Sequence, residues 1–512
     1  MYEKLEQLIS EGDYKEALYE FQEEYQNIGL SSDEDAARLC VLEASIWEAL
    51  GDGIAEFEAI AKGMSFDQTN YELFYMLGLY YQNFNIDKAY LCHEMALFYC
   101  DVDSDREVIA STLQELKKDT RVRVRGVSVM VLSYNDLELL KMCIDSVERS
   151  LPKESLEIVV VDNASTEEGV REFLRERADS ADYSFKLIEN SENMGFPVGC
   201  NQGADCCNED NDIFFLNNDA VLTTNALFWL RMGLYENRNV GACSSLSNSA
   251  SLQEVAPSLL GEYAGQELDN LWHKKLGATK SFEIFSKYAA VNTIPMYYPY
   301  IKRFRLTGFA LLVSRDALKV VAPDNKVFDE IFSPGYFEDD DLGMRLATAS
   351  FEQYLCTNSF IYHNGGSGFE GHNDAMERSR QTFIDKWDFD IWGFCLHWQE
   401  ACDKIADLYA ERKEPLKILD FSCNFGATGS YLKHIFPDVF VAGVCDNSFA
   451  AGIAKNIVDD VVYGNLNTSK LPWNDHSFDV VLFEREKVCM VRASQFVKTS
   501  GIIIDDREEE RD

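Results

Sequence analysis

Three apolar runs in the middle of the chain each end in a short polar block. Ser133-Tyr134-Asn135-Asp136 follows the run from Val127 to Leu132, Asp162-Asn163-Ala164-Ser165 follows Leu156 to Val161, and Asn217-Asn218-Asp219 follows Ile213 to Leu216. Runs this rich in β-branched and apolar residues suit strands buried on both faces of a parallel sheet, and ligands of such sheets sit at the carboxyl ends of the strands. A carboxylate placed there, as Asp162 would be, can accept the imide N–H of uracil, and Tyr134 can stack on or pack against the base. Asp219 would instead face a diphosphate, whose oxygens a divalent cation can bridge. Asn-Asn-Asp is also good turn chemistry, so a strand-terminating turn is the competing reading. Further on, Glu338 to Asp341 places four carboxylates in a row. Such neighbours repel, which can lift one pKa toward the working pH and favour proton abstraction; otherwise the run is a solvated loop.

The elements that must hold these residues follow from periodicity. Strands alternating with helical segments imply right-handed crossovers and an α/β sheet. Upstream, residues 1 to about 120 read as helices: Leu5, Leu8, Tyr14, Ala17, Leu18 and Phe21 recur at spacings of three and four, broken by Gly12-Asp13. The small-residue marks Ala17, Ala55 and Ala89 are 38 and 34 residues apart, the period of a helix-turn-helix repeat. An ordinary helical bundle is the alternative, and on either reading this segment is expected to bind or dimerise. Helical pattern returns between Gly371 and Arg412. From Pro415 a third pattern begins, with strand-like runs Lys417 to Phe421, Phe440 to Val444, Phe478 to Phe483 and Gly501 to Ile504.

Length agrees with this partition, since 512 residues correspond to about three domains at roughly 150 residues each. Hydrophobic and charged fractions of 46% and 26% are globular, and ten prolines are too few for Pro-rich linkers. A net charge of −40 repels phosphate backbones and anionic lipid, so nucleic acid is not an expected partner. Fourteen cysteines without a CxxC spacing read as reduced intracellular thiols rather than a disulfide scaffold. The acidic N-terminus lacks the features of a secretion signal, and no run of about 18 apolar residues offers a transmembrane segment. The expected location is cytoplasmic.

Taken in order, the three blocks and a fourth, Asn193-Met194-Gly195-Phe196-Pro197-Val198-Gly199-Cys200-Asn201, resemble the family 2 glycosyltransferases. Leu306-Thr307-Gly308-Phe309, the acidic stretch Phe337 to Leu342 with Arg345, and Ile361-Tyr362-His363 with Gly366-Ser367 extend the resemblance over residues 125 to 390. It implies the GT-A fold, a nucleotide-sugar donor and inversion at the anomeric carbon. It further implies that Ser133, Tyr134, Asp162, Asn193, Gly195, Phe196, Asn201, Asn218, Asp219 and Gly308 bind the donor. Asp219 and His363 would hold Mn2+ or Mg2+, although Asn217 stands where the family's motif more often has Asp, which lowers the ligand charge. A hydrogen-bonded loop histidine is the other reading of His363, and core packing that of the Asn193 to Asn201 block. Asp339 is the expected base and Glu338 its nearest rival, with Asp341 orienting Arg345 or a backbone amide.

The flanks carry their own resemblances. Phe74, Leu77, Gly78, Tyr81, Ala89 and Ala96 are similar to the tetratricopeptide pattern. Asp420-Phe421-Ser422-Cys423-Asn424-Phe425-Gly426 resembles the first motif of S-adenosylmethionine-dependent methyltransferases, with Ser422 and Asn424 at two glycine positions and Cys445 where the ribose-binding acid is expected. The chain is thus read as α/β multidomain: a tetratricopeptide-like helical domain (1–120), a GT-A core (121–395) and a small Rossmann-like, degenerate or truncated methyltransferase-like domain (396–512). The expected reaction moves a sugar from a UDP-sugar such as UDP-GlcNAc or UDP-glucose to a hydroxyl, with a Ser or Thr of a flagellin-like protein as acceptor. A lipid-linked or polysaccharide precursor (rhamnosyl transfer included), a non-catalytic scaffold and an active methyltransferase are the alternatives.

Overall fold

The computed structural model describes residues 2–25, 32–365 and 372–505; Gly366, Ser367, Gly371 and the charged tail after Asp505 lie outside the described residues. The chain opens with helices α1 (Glu3–Glu11), α2 (Tyr14–Glu20), α3 (Asp33–Leu50), α4 (Gly53–Phe66), α5 (Tyr71–Gln82), α6 (Ile86–Tyr99) and α7 (Asp103–Lys118). Then follow β1 (Val127–Ser133), α8 (Leu137–Glu148), β2 (Leu156–Asp162), α9 (Val170–Ser180), β3 (Ser184–Glu189), α10 (Phe196–Cys206), β4 (Asp212–Asn217), β5 (Ala220–Leu222), α11 (Ala226–Leu234) and β6 (Val240–Leu246). Next come α12 (Gly261–Ala264), α13 (Leu268–Trp272), α14 (Ala278–Asn292), β7 (Tyr300–Lys302), β8 (Ala310–Val313), α15 (Arg315–Val321), α16 (Glu338–Thr348), β9 (Glu352–His363), α17 (His372–Trp387), α18 (Trp392–Cys395) and α19 (Gln399–Arg412). The last elements are β10 (Lys417–Phe421), α20 (Ala427–Ile435), β11 (Phe440–Cys445), α21 (Ser448–Ala454), β12 (Asp460–Tyr463), β13 (Phe478–Phe483), α22 (Met490–Phe496) and β14 (Val497–Asp505).

Two compact units result. One comprises Met1–Pro299, Thr307–Gly335 and Leu355–His372, the other Tyr300–Leu306, Tyr336–Tyr354 and Asn373–Asp512. In the first, the helix starts are punctuated by side-chain caps: Ser32, Asp52, Asn70 and Asn85 each accept the N–H three residues on, satisfying a donor the helix itself cannot. Gly12 and Gly51 end α1 and α3 at φ +81° and +77°, where glycine has no Cβ penalty.

The sheet of this unit is mixed, with strand order β3-β2-β1-β4-β8-β6-β9-β5. Strands β3, β2, β1 and β4 are parallel, β8 is antiparallel to both β4 and β6, and β5 is antiparallel to β9. The runs read as buried strands are buried throughout: Val127, Val129, Val131, Ile158, Val159, Val160 and Val161 expose nothing. Helices α4 to α6 dock on this sheet unit through Gln68 to Thr293, Tyr99 to Asn225, an edge-to-face pair Phe74–Phe228 and the buried ion pair Glu94–Arg231.

Residues 245 to 305 show no clear periodicity in sequence but contain α14, whose Ile284, Phe285, Tyr288 and Ala289 pack on Phe360 and Tyr362 of β9. The aromatics of this stretch divide accordingly. Tyr263 joins this core against Tyr288, while Trp272, Tyr297 and Tyr298 stay exposed.

In the second unit, α19 precedes a sheet of order β12-β11-β10-β13-β14 in which every pair is parallel. That is the strand order of doubly wound α/β sheets, with the reversal between β10 and β13. Ser422 and Asn424 hold φ of +73° and +48°, so the turn after β10 keeps a glycine-like backbone while carrying side chains. Phe389, Phe394 and Phe449 pack on Phe425 in that turn.

Candidate active site

The register of β1 puts its last residues beside the ends of both neighbours: Ser133 pairs with Asp162 and Leu132 with Asn217. After β1 the chain turns through Asn135 and Asp136, both left-handed at φ +59° and +62°. Asn135 stabilises that turn by accepting the N–H groups of Thr166 and Glu167, and its own N–H donates to Ser165 Oγ. Tyr134 is exposed beside it, whereas Ser133 is buried, its hydroxyl without a partner among the described residues.

Asp162 is fully buried. Its Oδ2 accepts Arg171 Nε at 2.9 Å and its Oδ1 the Ser165 N–H at 3.1 Å, so one oxygen holds the first turn of α9 and the other the loop after β2. Asn163 ties that loop to the next block: its Nδ2 donates to Asn193 Oδ1 at 2.8 Å and its Oδ1 accepts the Met194 N–H at 2.9 Å. Gly195, at φ +80°, lies so close to Pro334 that an added Cβ would sit 3.0 Å from the Pro334 Cα, and the Phe196 N–H donates to the Pro334 carbonyl. Asn201 turns elsewhere, closing a two-way amide pair on the Phe328 backbone at 2.8 and 3.0 Å. Gly199 packs on Leu132 and Gly203 on Met130, letting α10 lie directly on β1.

The end of β4 meets the end of β9. Because Ala220 pairs with His363 across β5 and β9, two residues far apart in sequence become neighbours: His363 Nε2 is 3.2 Å from Asp219 Oδ1. His363 Nδ1 lies 2.6 Å from the Ser249 carbonyl, which can only accept, so Nδ1 carries the proton and Nε2 is turned to the carboxylate. Asn217 Nδ2 stands 3.5 Å from the same Nε2, and the Phe309 ring stacks on the imidazole at 4.8 Å. Asp219 Oδ2 accepts the Gly365 N–H at 3.0 Å, and Asn218 Nδ2 donates to the Asn135 carbonyl at 3.1 Å. Gly308 lies one residue before Phe309, whose carbonyl accepts the Asn217 N–H.

Burial lowers the His363 pKa, but the Asp219 charge, its hydrogen bond and the Ser249 carbonyl outweigh that and leave it raised. Burial and the Asp219 charge also raise Asp136. No group of three or more His, Cys, Asp or Glu suited to a metal occurs among the described residues. A cation at Asp219 and His363 would therefore have two protein ligands, an oxygen and an imidazole nitrogen suited to manganese, and would draw the rest from a ligand's oxygens or water.

Residues the motif reading missed complete the arrangement. Asn248 brackets the His363 backbone, accepting its N–H at 2.9 Å and donating to its carbonyl at 2.8 Å, and Ser249 fixes the ring. Both follow β6, which runs parallel to β4, so the rule applied to the three polar blocks would have found them had β6 been recognised.

In the second unit the four carboxylates open α16 after two left-handed residues, Tyr336 and Phe337. Asp341 is clasped by Arg345 at 2.9 Å, Lys386 at 2.6 Å and the Trp387 indole N–H at 3.0 Å. Asp340 accepts Arg305 Nε at 2.6 Å; burial, then the Asp339 charge, push it up to about 7 against the pull of Arg305. Glu338 is buried, its Oε2 without a partner among the described residues, and burial followed by the Asp339 charge raises its pKa well above the usual carboxylate range. Asp339 is half-buried and its Oδ1 accepts the Asp340 N–H.

Comparison with known proteins bears on the first unit. Residues 128–252 match the family model of glycosyl transferase family 2. The matched segment runs from β1 to just beyond β6 and includes Ser133, Asp162, Asn217 and Asp219. No curated protein matches the chain. Among solved structures, one of GalNAc-T7 with UDP, GalNAc and Mn2+ is similar at 13% identity and TM-score 0.36, over 48% of this chain and 44% of that one. A mannosyltransferase from Pyrobaculum calidifontis in complex with GDP-Man and Mn2+ follows at 18% identity and TM-score 0.34, over 58% and 74%. TarS of S. aureus is similar at 12% identity and TM-score 0.32, over 61% and 81%. No helix of the described residues is long and apolar enough to cross a membrane.

Proposed function

We propose that this chain is a GT-A glycosyltransferase that moves a sugar from a nucleotide-sugar donor to a hydroxyl with inversion at the anomeric carbon. The observation that carries the reading is the pairing of Asp219 Oδ1 with His363 Nε2 at 3.2 Å, the imidazole being fixed from behind by the Ser249 carbonyl. Bound there, Mn2+ or Mg2+ would neutralise charge developing on the leaving diphosphate. Ser133, Tyr134, Asn218 and Gly308 belong to the same strand ends and would cradle the donor, with Asp162, Asn193, Gly195 and Phe196 shaping the adjoining loops. Asn201, held on Phe328, would act by supporting α10. Asp339 would take the proton of the acceptor hydroxyl, and Glu338 is the rival for that role.

A UDP-sugar such as UDP-GlcNAc or UDP-glucose is the donor we favour. The acceptor we favour is a protein hydroxyl, Ser or Thr of a flagellin-like protein, modified in the cytoplasm; a lipid-linked or polysaccharide precursor is second. The first 120 residues would serve as a tetratricopeptide-like module that binds the acceptor or dimerises. The C-terminal sheet we read as methyltransferase-like without methyl transfer: side chains at Ser422 and Asn424 narrow the approach to the turn, and Cys445 ends β11 where the ribose acid would stand.

A thermal-shift and hydrolysis screen with manganese tests the reading. One of UDP-glucose, UDP-GlcNAc, UDP-galactose or dTDP-rhamnose is expected to raise Tm and to be hydrolysed slowly, and S-adenosylmethionine to give no shift. Silence from every nucleotide sugar would leave the scaffold reading in possession.

A further inference from the structure

Lys274 lies on the exposed surface, yet its ammonium is committed to backbone. Its Nζ donates to the carbonyl oxygens of Asn364 at 3.0 Å and Gly365 at 3.3 Å, and approaches Ser249 Oγ at 3.4 Å. The Asn364 carbonyl and the Gly365 N–H belong to one peptide unit, and that N–H is the donor to Asp219 Oδ2. A cation on the carbonyl of a peptide strengthens its N–H as a donor, because successive hydrogen bonds polarise one another. Ser249, the third contact, supplies the carbonyl that holds His363 Nδ1. One ammonium thus braces the supports of both Asp219 and His363.

The backbone at Lys274 adds an independent observation. Its φ is +51°, in the left-handed region. It follows α13 at the position where its N–H returns to the Leu271 carbonyl and the N–H of Lys275 to that of Asn270. This pair of bonds is a helix ending that usually places glycine at the left-handed residue, since a side chain there crowds the backbone. A lysine is held where glycine would fit with less strain, and strain of this kind gathers at working sites.

We propose that Lys274 is a positioning residue of the donor site, fixing the Asn364–Gly365 peptide against Asp219 and Ser249 against His363. It thereby sets how tightly the pair holds a divalent cation. This inference rests on the reading of Asp219 and His363 as metal ligands. Manganese binding to the full chain in the presence of UDP, followed by the electron paramagnetic resonance of free manganese, tests it without reference to turnover.

Lys274→Gly is expected to melt at or above the wild-type temperature, its strain relieved, while the manganese Kd rises about tenfold or more, the range typical of lost support behind a metal ligand. Lys274→Met, which keeps the bulk without the charge, is expected to lose the same affinity, and Lys274→Arg to retain most of it. Manganese affinity unchanged in Lys274→Gly overturns this inference alone, as does a loss that Lys274→Arg shares in full. A wild-type chain that binds no manganese with UDP overturns the metal-pair reading and this inference with it.

Discussion

Asp339 and Glu338 are adjacent in sequence, where the resemblance alone favours Asp339 as the base, and their surroundings differ. Glu338 is buried, and burial with the neighbouring Asp339 charge holds its pKa well above the carboxylate range. Asp339 keeps part of its surface open where Glu338 is buried, so Asp339 remains the proposed base. We expect Asp339→Asn to lower kcat by about 10²- to 10⁴-fold, the usual weight of a general base, while a donor analogue binds as before. Steady-state kinetics alongside calorimetry would check this, and full turnover in Asp339→Asn would shift the role to Glu338. The roles of Asp341 and Asp340 were only partly legible. Arg345 lies one helical turn from Asp341, so that pair can be read from spacing. Lys386, Trp387 and Arg305 come from distant segments and cannot.

Among the elements, those with a strong period were legible and those defined by their neighbours were not. β1, β2 and β4 announce themselves as apolar runs, whereas β3 is an edge strand of mixed burial and leaves no such signature. The glycines of α10 show how a motif divides between site and scaffold. Gly195 permits close approach to Pro334 in a left-handed turn, but Gly199 and Gly203 are packing positions, where an added Cβ would come within 2.5 Å of Leu132 and Met130. Gly203→Val is therefore expected to destabilise the first unit by roughly 1–3 kcal/mol through overpacking, read as a lower urea midpoint. An unaltered midpoint would mean that α10 can lift from β1 without cost.

Across the whole first unit, helices α4 to α6 share a hydrophobic and ionic boundary with the sheet. Arg231 exposes 1% of its side chain and Glu94 5%, and the second guanidinium nitrogen of Arg231 donates to the Arg125 carbonyl just before β1. Removing one member of a buried pair strands the other, so Glu94→Gln is expected to cost about 3–5 kcal/mol, with Glu94→Leu/Arg231→Met recovering much of it. Denaturation followed by far-ultraviolet circular dichroism would show this. A Glu94→Gln curve that overlays the wild type would mean the helices are only loosely tied to the sheet. The net charge of −40 has little part in such contacts. Most of it lies on solvated faces, while Asp162, Asp219, Glu338, Asp340 and Asp341 are carboxylates that the fold has taken out of water.

The sequence by itself determined the strands that end in polar blocks and the helical character of the first 120 residues, whereas Asp219 and His363 are marked as a pair only through the resemblance to family 2 glycosyltransferases. Strands and helices of this kind are properties of period and residue type, which act over a few positions of chain. Only the tertiary structure decided that β5 pairs with β9 so that Asp219 meets His363. The same holds for Asn248, Ser249 and Lys274 converging behind that pair. The reason is that antiparallel pairing and burial join segments of any separation, and a side chain's partners are set by which strand ends share an edge rather than by the residues beside it in the chain.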